Sequence, residues 1–154
     1  YFLELKGEVL LESGRPHEAL DPLRRATAMT NAEPLIASLF GHALIATEDD
    51  GNFEEAERVL RAAVGRDRRN PFAWYQLGVV YAARGDTARA RLASAEQQVM
   101  NRQYGLALRS AQAAEYGLEH GTPDWIRAQD IGMQARALLE RQCEMERGRD
   151  CAPG

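Results

Sequence analysis

The stretch NPFAWYQLGVVYAARGDTARA, residues 70–90, decides how the chain folds. Trp74, Leu77, Gly78 and Tyr81 recur at helical spacing, so they share one face of a helix that starts at Pro71. Gly85-Asp86 then breaks the pattern as a tight turn, and Ala90 sets a small residue into the helix that follows. Two short helices back to back around a glycine turn form a hairpin, and a hairpin that small cannot bury its apolar face alone.

The chain repeats the unit. Gly7, Gly41 and Gly78 lie 34 and 37 residues apart, while Gly14, Gly51 and Gly85 lie 37 and 34 apart. Ala19, Ala56 and Ala90 also follow at 37 and 34. One insertion of three residues within Thr47-Glu48-Asp49-Asp50 reconciles the two series with a single period of 34. That period, with Trp-x2-Leu-Gly-x2-Tyr in the first helix, resembles the tetratricopeptide repeat. The resemblance implies an all-α protein, a right-handed superhelix of helix pairs (an α–α solenoid).

Each repeated residue has a physical role. The first-helix glycine lets the second helix approach closely, and the small Ala does the same from the other side. Leu23 and Leu60, four residues after that Ala, are expected to fill the gap between the helices. The turn glycines are expected to take the left-handed conformation that ends a helix cheaply. Helices are expected near 1–13, 16–30, 34–48, 52–66, 71–84, 87–101, 104–119 and 123–142. They group as one domain, 1–142, with repeats 1–33, 34–70 and 71–101 and a degenerate repeat or cap at 102–142. Residues 143–154 read as a poorly ordered tail. In the cap, Thr122 is the expected N-cap, Pro123 fits the first turn, and Trp125 and Ile126 are placed to dock on the preceding pair.

LASAEQQVMNRQYGLALRSAQAA (92–114) and GTPDWIRAQDI (121–131) are not generic repeat sequence. They resemble the C-terminal region of the BepA-like family, bacterial periplasmic H-E-x-x-H zinc metallopeptidases with tetratricopeptide tails. YFLELKGEVLLESGRPHEALDPLRRA (1–26) resembles the start of that repeat region. The resemblance implies a periplasmic location. It also implies a role in outer-membrane protein assembly and quality control, with the parent protease domain and the assembly machinery as partners. It places zinc and all its ligands in a catalytic domain N-terminal to this region, so no cofactor, metal or catalytic residue is expected in the chain itself. The chain departs from the family at Arg102-Gln103, where Gly-Asp is more usual, and has no match after Gln142.

Composition narrows the alternatives. The chain has 154 residues and a net charge of −4, which gives a nucleic-acid partner no support. No apolar run is long enough for membrane insertion. It opens at Tyr1 straight into a helical pattern, which reads as a piece of a longer protein. His17-Glu18 followed by Asp21 mimics the opening of H-E-x-x-H, but a second His is missing and Ala19 is in repeat register. His17 is expected to be a solvated first-turn residue. His120 reads as a helix-end cation, and VGRDRRN (64–70) as a solvated basic helix end. Cys143 and Cys151 are equally compatible with a small-loop disulfide and with two free thiols.

The expected function lies in the concave groove formed by the first helices, which suits a protein or extended peptide. Residues three before, one after and four after the first-helix Gly share one helical face. They are Glu4, Glu8 and Leu11, then Ser38, His42 and Ile45, then Tyr75, Val79 and Ala82. Glu4, Glu8, Ser38, His42, Tyr75 and Val79 are the candidate partner-binding residues. The groove is acidic at one end and apolar at the other. Two carboxylates would repel a C-terminal carboxylate, so it is unsuited to the tail peptides gripped by co-chaperone tetratricopeptide domains. A free-standing scaffold of a pilus or secretion system is the alternative reading.

Overall fold

The computed structural model describes residues 1–147, and every regular element among them is helical. The helices are α1 (Phe2–Glu12), α2 (Pro16–Met29), α3 (Pro34–Ala46), α4 (Phe53–Arg66), α5 (Pro71–Ala83), α6 (Thr87–Met100), α7 (Tyr104–Gly117) and α8 (Pro123–Arg147). A short 3-10 turn, Asp50–Asn52, precedes α4. The chain divides at Gly85 into two compact units, with α1–α5 in the first and α6–α8 in the second. No helix among the described residues is long and apolar enough to cross a membrane.

In the first unit α1 pairs with α2 and α3 with α4, and α2 packs on α3 and α4 on α5. The pairs close where the sequence placed its glycines. A Cβ on Gly41 would lie 2.5 Å from Leu60 Cγ, and one on Gly7 would collide with Leu23 in the same way. Leu23, Leu60, Ala19 and Ala56 are all completely buried. The first helix of each pair therefore offers bare backbone to a leucine of the second.

Prolines and capping side chains fix the starts. Asn70 Oδ1 accepts from the Ala73 N–H at 3.1 Å, and Asp86 Oδ1 accepts from the Arg89 N–H at 3.0 Å. Glu33 caps α3 through a carboxylate that accepts from the Leu35 and Ile36 N–H groups. Gly14 (φ +72°) and Gly85 (φ +82°) take the left-handed conformation as expected, but Gly51 does not. At the insertion that conformation passes to Glu48 (φ +54°), and Gly51 lies in the 3-10 turn, where its N–H donates to Asp49 Oδ1. Three extra residues displace the helix-ending position away from the glycine. Thr47 ties the loop together, donating to the Leu44 carbonyl and accepting from Asn52 Nδ2.

Arg102-Gln103 makes the same turn as the Gly-containing pairs. Arg102 stands at φ +61°, and the Gln103 N–H reaches back to the Gln98 carbonyl at 2.9 Å. At the α1–α2 turn, Arg15 N–H reaches Leu10 carbonyl in the same way, also at 2.9 Å. Hydrogen bonding at the end of α6 thus holds a non-glycine residue in a left-handed conformation.

The second unit is built on small residues. Leu92, Ala95, Ala111, Ala114, Ala128 and Ile131 form its core, with Leu118 packed against them. The α6–α7 approach is close enough that a Cβ on Gly117 would meet Ala88 Cβ at 3.0 Å. Thr122 caps α8 as expected, accepting from the Trp125 N–H at 3.3 Å. Trp125 is half-buried, but Ile126 is 47% exposed, and the inward positions are Ala128 and Ile131. The expected end of α8 at 142 is also corrected. The helix runs to Arg147 because LLERQCEMER contains strong helix formers and no Gly or Pro, and Gln142 reaches Glu146 one turn on. The remainder of the expected tail, 148–154, lies outside the described residues, and with it Cys151 and its proposed pairing with Cys143.

Two substitutions test this packing. Gly41→Ala forces Leu60 aside and is expected to cost about 1–3 kcal/mol. In chemical denaturation, Leu60→Ala in the same chain should absorb part of that cost, whereas additive losses would show the two residues do not meet. Arg102→Gly relieves a left-handed non-glycine residue and is expected to stabilise the protein by about 1 kcal/mol, read as a higher midpoint.

Candidate functional site

The first helices of the first unit lie side by side, α1 against α3 and α3 against α5. Their register carries the six candidate residues to different environments. Glu8 and Tyr75 are exposed, and Glu4, His42 and Val79 are half-buried. Ser38 is the exception, with 1% exposure. Its hydroxyl donates to the Pro34 carbonyl at 2.6 Å and accepts from Asn70 Nδ2 at 3.1 Å. Asn70 also caps α5, so Ser38 joins one repeat to the cap of the next. The expectation of a partner-contacting Ser38 is therefore corrected, because both its hydrogen-bonding roles are filled inside the framework.

Two residues of the face were missed. Leu35 and Phe72 are 66% and 42% exposed, and both lie six residues before the first-helix Gly. Extending the row back one more helical step would have found them, and it also adds Tyr1. The Phe72 ring meets His42 edge-on, with centroids 5.6 Å apart and planes at 66°. His42 Nδ1 is buried and has no hydrogen-bond partner. The face thus offers Leu35, Phe72 and Tyr75 as apolar surface toward α5, and the carboxylates of Glu4 and Glu8 on α1.

The surrounding charges serve the framework. Arg24 forms a two-pronged pair with Glu55 at 3.1 and 3.0 Å and covers the Phe40 ring at 5.3 Å. Its pKa is raised, first by the hydrogen bond to Glu55. Arg66, expected at a solvated helix end, donates to the Asn31 and Ala32 carbonyls. There the cation satisfies backbone acceptors left over after α2. Trp74 Nε1 donates to the Arg68 carbonyl in the same basic stretch. His17 is exposed in the first turn of α2, and Glu18 pairs with Arg15. Among the described residues, no cluster of three His, Cys, Asp or Glu side chains is placed to hold a metal.

The second unit holds a polar core pair invisible to repeat reading. Glu96 is 2% exposed, and both its oxygens accept from Arg127, at 2.7 and 2.9 Å. Glu96 lies four residues after Leu92, on the apolar stripe of α6, and that misplaced charge was the available signal. The Arg127 pKa is raised, chiefly by this hydrogen bonding, so the guanidinium stays charged. Arg89 ties Asp86 to Asp124 at 3.0 and 2.9 Å. His120, just past the end of α7, stacks on Trp125 with centroids 4.9 Å apart.

Comparison with known proteins agrees with this architecture. The tetratricopeptide-repeat family model matches residues 71–91. A crystal structure of MamA superposes with a TM-score of 0.60 at 18% identity, covering 92% of this chain and 79% of that one. A second MamA crystal structure gives 0.61 at 17% identity, covering 98% and 78%. No curated protein matches the sequence. The fold is all-α, a tetratricopeptide-repeat α–α solenoid.

The Glu96–Arg127 pair makes an asymmetric prediction. Arg127→Ala removes the guanidinium that neutralises a buried carboxylate and is expected to cost about 3 kcal/mol. Glu96→Gln keeps a polar group beside a partly exposed Arg127 and should cost clearly less. Equal midpoints for the two variants in thermal unfolding would contradict a buried, pair-dependent Glu96.

Proposed function

We propose that the chain is a non-catalytic protein-interaction scaffold that holds an extended peptide on the first-helix face of α1, α3 and α5. The observation that carries this reading is the row of exposed Leu35, Phe72 and Tyr75 beside half-buried His42, on helices whose other large side chains mostly pack inward. Aromatic residues on an accessible face are the usual anchors of peptide binding. Glu4 and Glu8 favour a basic residue at one end of the ligand, and the α5 end favours apolar ones.

The finer reading is that this scaffold is the tail of a periplasmic zinc metallopeptidase in outer-membrane protein assembly and quality control. Support comes from residues 92–114 and 121–131, whose sequence is not generic repeat. On this reading zinc belongs to a catalytic domain elsewhere in the parent, and the partners are that domain and the assembly machinery. A free-standing scaffold, as in a pilus or secretion system, is the second reading. The MamA likeness, which shows the fold alone, supports a scaffold under either reading. The encoding reading frame separates the two, because an upstream region lacking H-E-x-x-H would remove the protease reading.

Fluorescence anisotropy with labelled peptides that join a basic residue to aromatic and aliphatic ones tests the scaffold reading. Micromolar binding is expected, weakened about tenfold by Tyr75→Ala or Phe72→Ala. Glu4→Lys with Glu8→Lys should shift preference to acidic peptides. Binding that ignores all four substitutions would sink the proposal.

A further inference from the structure

Helix α1 carries a second apolar row, distinct from the peptide-binding face. Phe2 is 75% exposed, Leu5 53% and Val9 52%. Counted from the first-helix Gly, they stand five before, two before and two after Gly7. The same positions on α3 are Ile36, Leu39 and Ala43, and on α5 they are Ala73, Gln76 and Val80. Five of those six are buried, at 7% exposure or less, and Leu39 is half-buried.

What α3 and α5 have, and α1 lacks, is a helix pair stacked ahead of them. The second helix α2 packs on α3, and α4 packs on α5. Helix α1 packs on its own partner α2 and on the following first helix α3. The row is therefore the repeat-to-repeat interface presented once more with its covering helix missing.

We infer that the Phe2-Leu5-Val9 row is a stacking surface for one further helix pair, joined in line ahead of α1, whose second helix is amphipathic like α2 and α4. The occupant is specified by continuity, since the same interface is already formed twice within the first unit. This goes beyond the peptide-binding reading, which uses the Glu4-Glu8 face of the same helix.

The test supplies such a pair. Residues 34–71 are duplicated ahead of Tyr1 in the full chain, so that Pro71 precedes Tyr1 as it precedes Phe72. Hydrogen exchange of the α1 amides and sedimentation velocity are then measured with and without the extension. Exchange in α1 is expected to slow roughly tenfold or more in the extended chain, which should remain monomeric. Phe2→Gln with Leu5→Gln and Val9→Gln should abolish that gain, while circular dichroism shows the unextended variant still folded. No added protection in the extended chain overturns the proposal. So does an unextended chain that dimerises at micromolar concentration and is returned to monomer by the triple variant, because the occupant would then be a second copy. Peptide anisotropy on the same proteins reads the other face of α1, so the two proposals fail separately.

Discussion

The close approach of a leucine to a bare glycine backbone is the contact on which the repeats depend. Leu60 fits against Gly41 and Leu23 against Gly7, at distances where a single Cβ would collide. That contact sets how near the two helices of a pair can lie. It thereby sets which residues on their flanks reach the neighbouring pair. Buried alanines at 19 and 56 serve the same end from the second helix. A repeat that buries its leucine on glycine has little tolerance for volume change, since packed interiors transmit strain rather than absorb it. The second unit uses the same economy of volume, with Ala88 against Gly117 and alanines filling most of its core.

Around this apolar contact, polar side chains join successive elements instead of decorating the surface. Ser38 reaches the Asn70 cap, Arg24 reaches Glu55, Arg84 reaches Glu57, and Arg66 holds the carbonyls after α2. The exposed ion pairs contribute little individually, about 0–1 kcal/mol each. The buried ones matter more, because an unpaired group in the interior is costly. Glu96 with Arg127 is the clearest case, a charge in the small-residue core met by both prongs of a guanidinium.

This division of labour determines what remains for function. Once the leucines, caps and inter-repeat links are assigned, the first helices of the first unit still present Leu35, Phe72 and Tyr75, together with Glu8. None of these is needed to close a repeat. The apolar row on α1 is a different remainder, since its equivalents on α3 and α5 are integral to stacking.

Much of the fold was legible in the sequence because the controlling signals are local. Prolines and glycines mark helix ends through their own φ preferences, and the period of 34 places Gly opposite Leu without knowledge of distant contacts. The first-helix face was legible in outline for the same reason, since helical periodicity alone puts Glu4, His42 and Tyr75 on the same face of their helices. Tertiary structure decided everything that depends on neighbours far along the chain. Burial turned Ser38 from a ligand contact into a framework hydrogen bond, and put Glu96 against Arg127, 31 residues away. Hydrogen bonding at helix ends placed Arg102 and Glu48, instead of a glycine, in the left-handed conformation. Whether an apolar residue is covered is likewise a property of its surroundings. Phe2, Leu5 and Val9 match their buried counterparts in register, and only the packed structure distinguishes them.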